Sequence, residues 1–595
     1  MVENLWYGYR PRVDQPRILE LNMFELARKL NFTACVCAIL VFPFIVHAAD
    51  GPQFLKQPNL VKNPNLRAPL SAILSFTPSE TVSTLVDISD GTSTRRYEFD
   101  ASYDPKEGIP ILGLRAAQRY DVRVSVKNAS GKTTAFPSPL TVTTPPLPTS
   151  PFEFPPITIR KIDSQRMEPG VTIAAIRRRA PGRAIWQSAT QREFARGWGM
   201  MVALDSQGQV VWYYQSDARI AGIDRFQDGN MLFHRADFRT FEINMLGEAV
   251  NQWYAGGNPR LTSKAGIPID VQTLHHQPHE LPSGNFLALT ANARLVKNYV
   301  TNEYDPKAPR RDRMVMGDDI IEVRREDGAI LWRWSAFDHL DPQRIGYGAT
   351  DPYWITRGFP DHADWTHGNG VTHDERDNSV IVSLRHQDAI LKIDRASGEI
   401  RWILGEPSDW GKLSDKVLKP VGAVTWPYHQ HNPHISKAGT LVVFDNHTFG
   451  ARPPRPFITP EKAMSRAVEF EIDEQRKTVR QVWSTETIEQ KDPCNGYAMG
   501  DASRQPKTDN ILVFYALCPS RLPGLSYDEY SGARHIDDQS YGGRIREYTR
   551  AENPETVFAV DIIDPQEILQ WEVYGGLRVP SLYPPGREPK VQFLQ

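Results

Sequence analysis

Cysteine is scarce in this chain, and that scarcity removes one class of fold. Only four are present, so no disulfide lattice holds together a small, loop-rich scaffold. Neither sign of charge dominates: 69 Lys and Arg face 71 Asp and Glu, a formal net charge of −2. Without a global field the expected partners are small or neutral, and neither nucleic acid nor an acidic lipid surface is favoured. Long amphipathic helices are also missing. In their place stand 47 Pro, 40 Gly and 14 Trp, with short apolar runs between turn residues, the pattern of an all-β body. At 595 residues and 40% hydrophobic, the chain should divide into two or more domains, each with its own core.

The one long apolar run lies near the N-terminus. "MFELARKLNFTACVCAILVFPFIVHAAD" begins at Met23 with Arg28 and Lys29, continues through about fifteen apolar residues and ends on Ala48 and Ala49, which reads as a signal peptide over 1–49. Met23 is the alternative start. A retained anchor is the alternative function, because the run approaches the lower length for spanning a bilayer. Export makes the expected location periplasmic, with no membrane segment in the mature form. Cys35 and Cys37 fall inside the run, leaving Cys494 and Cys518. An even pair in an exported chain suggests one disulfide, worth roughly 3 kcal/mol for a loop of about 25 residues; two buried free thiols are the alternative.

Residues 50–142 alternate in short runs, among them "LSAILSFTP", "VSTLVDI" and "YDVRVSVKNASGK", as expected of a β-sandwich of roughly 100 residues. "LRAAQRYDVRVSV" places Tyr120 six residues after Leu114 and ahead of Val122, Val124 and Val126. It resembles the tyrosine-corner strand of fibronectin type III and immunoglobulin-like domains. The proline-rich stretch "TTPPLPTSPFEFPP" then marks a stiff linker over 143–160.

Beyond the linker a phrase recurs: apolar strand, turn with Asp or Gly, second strand, Trp. Its six copies end at Trp212, Trp253, Trp332, Trp402, Trp483 and Trp571, about 41 to 88 residues apart. Each reads as a β-hairpin that cannot bury its apolar face alone. Six such copies predict a six-bladed β-propeller over 161–595, with a stacked solenoid as the alternative. A second phrase, as in "HELPSGNFLALT" and "ISKAGTLVVFDNH", supplies a further strand per blade.

Histidines gather ahead of that second phrase, twelve of the fifteen lying between 275 and 447. "HQPHELPSGN" and "HNPHISKAGT" share H-x-P-H, which makes His276 and His431 equivalent places in two blades, while "DWTHGNGVTHDERDNSVIVSLRH" sets His367 ahead of the same strand. Matching strand ends in a propeller converge on its centre, so a ring of imidazoles is expected. A metal site is one reading. H-x-P-H has no strong zinc spacing, however, and neither E-x-x-H nor C-x-x-C accompanies it. Nucleophilic catalysis by one imidazole, with the others and a guanidinium stabilising charge, is the second. Arg385, eighteen residues after His367, favours an oxyanion over a metal. Asn369, Asp445 and Asn446 add hydrogen-bonding groups.

"HHQPHELPSGN", "DWTHGNGVTHDERDNSVIVSLRHQDAILKID" and "QHNPHISKAGTLVVFDN", behind an N-terminal β-domain, resemble the bacterial arylsulfate sulfotransferases, which act without PAPS. The resemblance covers nearly all of the mature chain. It implies transfer of a sulfuryl group from a phenolic sulfate to a phenol by a ping-pong route through a sulfohistidine. His431 is implied as nucleophile, His276, His367 and Asn369 as contacts to the sulfuryl or phenolic oxygens, and Arg385 as anion clamp. No cofactor and no metal are implied. Gln277 stands where the family often has an acidic residue, which leaves the orientation of His276 open, with His275 as its rival. The family also places a small polar group from the following blade near the sulfate, here somewhere in "NGYAMGDAS", 495–503. A non-catalytic ligand-binding propeller and a quinone-dependent dehydrogenase are the competing functions, and a homodimer is left open.

Overall fold

Period-two alternation builds the N-terminal sandwich. Every second residue is buried along Ala72–Pro78 and Ser83–Ser89, and the computed structural model pairs them in two separate sheets. One joins Phe54–Lys62, Ala72–Pro78 and Ile109–Ile111. The other joins Thr94–Phe99, Ser83–Ser89 and Arg119–Lys127, with Thr133–Ala135 and Leu140–Thr143 beside the last. The Arg115 amide donates to the Tyr120 hydroxyl at 2.8 Å, the corner that its spacing from Leu114 suggested. The structure describes residues 51–180, 188–261, 263–458, 463–489, 494–519 and 541–594. The expected signal peptide at 1–49, with Cys35 and Cys37, lies outside them. Among the described residues no helix is long and apolar enough to cross a membrane.

After the proline-rich stretch, strands follow in successive antiparallel sheets. Ile220–Arg225, Met231–Arg235, Arg239–Ile243 and Ala249–Ala255 form one. His275–Glu280, Phe286–Tyr299, Arg311–Val323 and Ile330–Ser335 form the next. Gly368–Asp374 through Ile400–Gly405, and His431–Ile435 through Thr478–Ser484, repeat the pattern. The first strands of these sheets pack neighbour to neighbour, then on Asp501–Arg504 and Gln570–Val579, and the last of these returns to Ile220–Arg225. The arrangement is propeller-like.

The recurring tryptophans staple one sheet to the next. The indole N–H of Trp212 donates to Met245 O at 2.8 Å, that of Trp332 to Arg395 O at 2.9 Å, and that of Trp402 reaches Glu474 Oε1 at 3.3 Å. Each acceptor lies in or beside the hairpin turn of the following sheet. These three indole N–H groups gain a partner in that way, whereas those of Trp253, Trp483 and Trp571 are buried without a hydrogen bond among the described residues.

Two expectations are corrected. The sixth copy, ending at Trp571, is not a hairpin: Thr556–Ile562 pairs with Tyr541–Tyr548, while Gln570–Val579 crosses over to pair with Val171–Arg179. A closed ring needs one connection that joins its two ends, and this phrase supplies it. The C-terminal Lys590–Leu594 adds to Thr94–Phe99 of the sandwich, so the stretch 161–595 does not belong wholly to the second domain. The two domains also meet through Arg115 and Asp205 (2.7 Å) and through Asn63 Nδ2 and Leu246 O (2.9 Å).

Candidate active site

The first strands of adjacent sheets bring His276, His367, Asn369, Arg385 and His431 to one place. His431 opens His431–Ile435 and is buried. Its Nδ1 lies 2.6 Å from Asn446 Oδ1 and 3.1 Å from His429 O. The Asn446 amide nitrogen donates to Gly496 O (2.7 Å) and Met499 O (2.9 Å), which fixes its oxygen as the acceptor. The proton of His431 therefore sits on Nδ1, and Nε2 keeps its lone pair, accepting the Met499 amide at 3.1 Å. Burial first, and Arg385 second, push the imidazole well below its usual range, so it is neutral at neutral pH.

The other two imidazoles are also held by Nδ1, but against carboxylates. His367 Nδ1 lies 2.5 Å from Asp364 Oδ2, and Trp354 Nε1 donates to the other oxygen at 2.8 Å. Burial pushes Asp364 up to about 6, still ionised at neutral pH. His276 Nδ1 lies 2.7 Å from His275 Nδ1, whose Nε2 is 3.1 Å from Asp318 Oδ1. Asp318 is held low, against its burial, by His275 and by bonds from Thr366 and Gly368. His275 thus faces a carboxylate with Nε2, without a hydrogen bond, and shares one bond with His276 through their Nδ1 atoms. The relay orients His276 where Gln277 left that open, and His275 stands behind it. Burial, with cationic or imidazole neighbours, keeps His276 and His367 neutral. Their rings are 5.0 Å apart.

Sequence repetition did not carry identical geometry. His279 faces Leu287 and His434 faces Val442 in matching register, yet the left-handed residue is His276 in one phrase and Asn432 in the other. The imidazoles at the two first histidines therefore leave their strands differently. His276, His367, His429, Asn432 and Met499 all have positive φ. Each such non-glycine residue costs on the order of 1–3 kcal/mol, and five around one cluster indicate a backbone bent to position side chains.

Arg385 is where chain reversal should bring it: its amide donates to His367 O at 3.1 Å. The guanidinium meets neutral acceptors, His386 Nε2 at 2.5 Å and Tyr497 O at 3.1 Å, and its Nε is buried without a hydrogen bond. Its charge remains available to an anion. Asp364, His367 and His386 could by spacing hold a metal ion, but Arg385 already occupies His386 Nε2 and its charge opposes a dication. Asn369 does not face the cluster through its amide nitrogen, which donates to Gln430 O at 2.8 Å and braces the residue before His431. Its Oδ1 is buried and unbonded. His434 binds Asp501 at 2.7 Å and His429 binds Asp388 at 3.0 Å; both tie neighbouring segments together. Asp445 turns away, to Arg466 and His447.

The segment 495–503 contributes backbone rather than a hydroxyl. Tyr497 O takes Arg385, and the Met499 amide faces His431. Cys494, bonded to Cys518 with Cα atoms 4.8 Å apart, anchors its start. Asp318 and Asp364 were missed in the sequence. Asp364 stands three residues before His367 and was legible in principle, whereas Asp318 comes from another strand and leaves no local signal.

A propeller-like β protein with histidines and an arginine gathered in one buried cluster is thus defined. The chain belongs to the arylsulfotransferase (ASST) family, whose model matches residues 164–561, with the arylsulfotransferase Ig-like domain matching residues 60–145. It is 28% identical over 338 residues to arylsulfate sulfotransferase AssT of Escherichia coli O6:H1, and 29% identical over 328 residues to that of Lelliottia amnigena. Each alignment covers 47% of this chain and 51% of the relative, so the match spans about half the length of both relatives. Among solved structures, the β-propeller domain of Myceliophteria thermophila Cps50 (Swd1) overlaps 69% of this chain and 100% of its own, at 8% identity and a TM-score of 0.30.

Proposed function

We propose that this protein moves a sulfuryl group from a phenolic sulfate ester to a phenol in two displacements, through a sulfuryl group carried on His431 Nε2. The observation that carries the reading is the tautomer of His431, held by Asn446 with its lone pair on Nε2, where it accepts the Met499 amide until a donor displaces it. In the first step Nε2 attacks sulfur, the aryl oxygen–sulfur bond breaks and the phenolate leaves with the bonding pair. It takes a proton from His276 or His367, which has taken that proton up from solvent as the anionic ester bound. In the second step the acceptor phenol gives its proton to the same imidazole and attacks sulfur, and the N–S pair returns to His431. Arg385 holds the sulfuryl oxygens, and the Met499 amide, released from Nε2, is placed to do the same. Neither step consumes a cofactor or an electron.

The backing groups separate the roles. A carboxylate behind His367, and another at the end of the relay behind His276, favour proton transfer, whereas the neutral amide behind His431 leaves its proton on Nδ1 throughout. The reading extends to a six-bladed propeller, closed by Gln570–Val579, behind a β-sandwich and a proline-rich linker. It also includes export to the periplasm, supported by the apolar N-terminal run and the Cys494–Cys518 bond. Incubation with para-nitrophenyl sulfate, followed by mass spectrometry, should find an acid-labile adduct of about 80 Da on the peptide holding His431. Normal turnover by His431→Ala would sink the nucleophile assignment, and binding without any adduct would favour a non-catalytic propeller.

A further inference from the structure

Guanidinium groups outnumber carboxylates in the segments beside the cluster, at Arg177, Arg179 and Arg219. All three bear on one buried carboxylate, Glu572. Arg179 takes it at 3.1 Å, together with the Tyr497 hydroxyl at 2.9 Å. Arg177, 9% exposed, is left with Ile220 O for Nε and Met499 Sδ at 3.1 Å for one terminal nitrogen. A thioether is a weak acceptor, and the other terminal nitrogen has no hydrogen bond among the described residues. Arg219 Nε is likewise buried and unbonded. Burial first, then Arg219, lowers Arg177 to about 10, which still leaves it charged at neutral pH. One buried and one half-buried cation beyond the one carboxylate are costly without a further anion.

The position of these groups says what that anion is attached to. Arg177 stacks over the Tyr574 ring at 4.3 Å, and the Tyr574 hydroxyl is itself buried without a partner. Tyr574 lies 6.5 Å from the His276 ring, and Met499, whose sulfur meets Arg177, donates its amide to His431. On the other flank Tyr353 lies 4.5 Å from His367. A phenol whose oxygen reaches the imidazoles therefore has aromatic walls for its ring, and a group carried on that ring comes against Arg177. We propose that Arg177 and Arg219, with the Tyr574 hydroxyl, form a second anion subsite that selects phenols bearing a carboxylate or sulfonate on the ring. This rests on the sulfotransferase reading, with the sulfuryl group itself assigned to Arg385.

The test compares para-hydroxyphenylacetate with its methyl ester as acceptors, para-nitrophenyl sulfate being the donor. The two share the reacting oxygen and differ by one charge. The wild-type protein should favour the acid by about tenfold or more in kcat/KM, the scale of one charge-assisted hydrogen bond. Arg177→Gln and Arg219→Gln should each lower kcat/KM for the acid several-fold more than for the ester, and Arg177→Lys should recover part of the preference. Equal use of acid and ester by the wild type, or an equal loss for both in Arg177→Gln, overturns the subsite. Calorimetric titration of acid and ester into the wild-type protein tests it without turnover. Tighter binding of the acid, together with no adduct on His431 after incubation with para-nitrophenyl sulfate, would retain the subsite and reject the sulfotransferase reading, and equal binding would reject the subsite.

Discussion

Asn446 points its oxygen at His431 Nδ1 from 2.6 Å, because its amide nitrogen is already committed to two carbonyls, Gly496 O and Met499 O. A leucine at 446 would keep the volume and lose all three bonds. His431 would then be free to move its proton to Nε2 and mask the lone pair. Asn446→Leu should lower kcat on the order of 10–100-fold, with a smaller change in KM. Leaving Met499 O unsatisfied, with Gly496 O still held by Ser465 Oγ, should also cost about 1–3 kcal/mol in urea unfolding.

The same burial makes a statement about pH. His276, His367 and His431 all lie well below the ordinary imidazole range, with desolvation as the first cause. Lowered in the fold, they keep the neutral, reactive form down to pH values where a free imidazole is mostly protonated. With para-nitrophenyl sulfate, whose phenolate leaves without needing a proton from His276 or His367, kcat/KM of the proposed transfer should therefore stay flat from pH 8 through about 6.5. A half-loss centred near 6.5 would contradict a buried, neutral nucleophile.

Stability should be acid-sensitive in the same direction. His234, buried with Nδ1 2.7 Å from Thr240 Oγ1, is lowered to about 3 by burial and then by His275. The unfolded chain binds its proton near 6.5 and the folded chain does not, so between those values the unfolded state holds more protons and stability falls as pH falls. His234→Gln should flatten the loss between pH 6.5 and 4 in urea titrations, and an unchanged slope would assign the acid sensitivity to other groups.

Local repetition made the hairpins, the Trp endings and the histidine cluster legible. What it hid were relationships across sheets. Closure by Gln570–Val579 on Val171–Arg179 joins distant segments and leaves no period in either. Lys590–Leu594 is exposed along nearly its whole length, so no alternation announces a strand. H-x-P-H located His276 and His431, but their roles depend on Asp318 and Asn446, supplied by other strands. Asn369 had the right place and a different job, since its amide is spent on Gln430 O.

Gly370, in the same "HGNG" as Asn369, carries a sharper consequence. A Cβ there would lie 2.8 Å from both the Cα and the amide nitrogen of Asn432, backbone atoms next to His431 that cannot swing aside. Gly370→Ala should cost about 1–3 kcal/mol as overpacking. Because the strand it displaces begins at His431, kcat should fall by more than the stability loss explains, measured where the variant remains fully folded by circular dichroism.

The Cys494–Cys518 bond ties stability to the site. Cys494 begins the described segment that supplies Gly496 O and Met499 O to Asn446, Tyr497 O to Arg385 and the Met499 amide to His431. Cys518 lies in Ile511–Pro519, paired with Asp501–Arg504 and Tyr541–Tyr548. Reduction frees the start of that segment from the sheet, where Ser465 donates its amide to Cys494 O at 2.9 Å and accepts the Gly496 amide at 2.8 Å. The unfolded chain gains the freedom of a loop with a separation of 24 residues, about 3 kcal/mol in the chain-entropy model. Cys494→Ser with Cys518→Ser should therefore lower the urea midpoint and, at temperatures where the fold persists, also lower kcat. Added Ser465→Ala should deepen the kcat loss in the cysteine-free protein more than in the wild type. Purely additive effects would mean that the disulfide stabilises the fold without positioning the segment that faces His431.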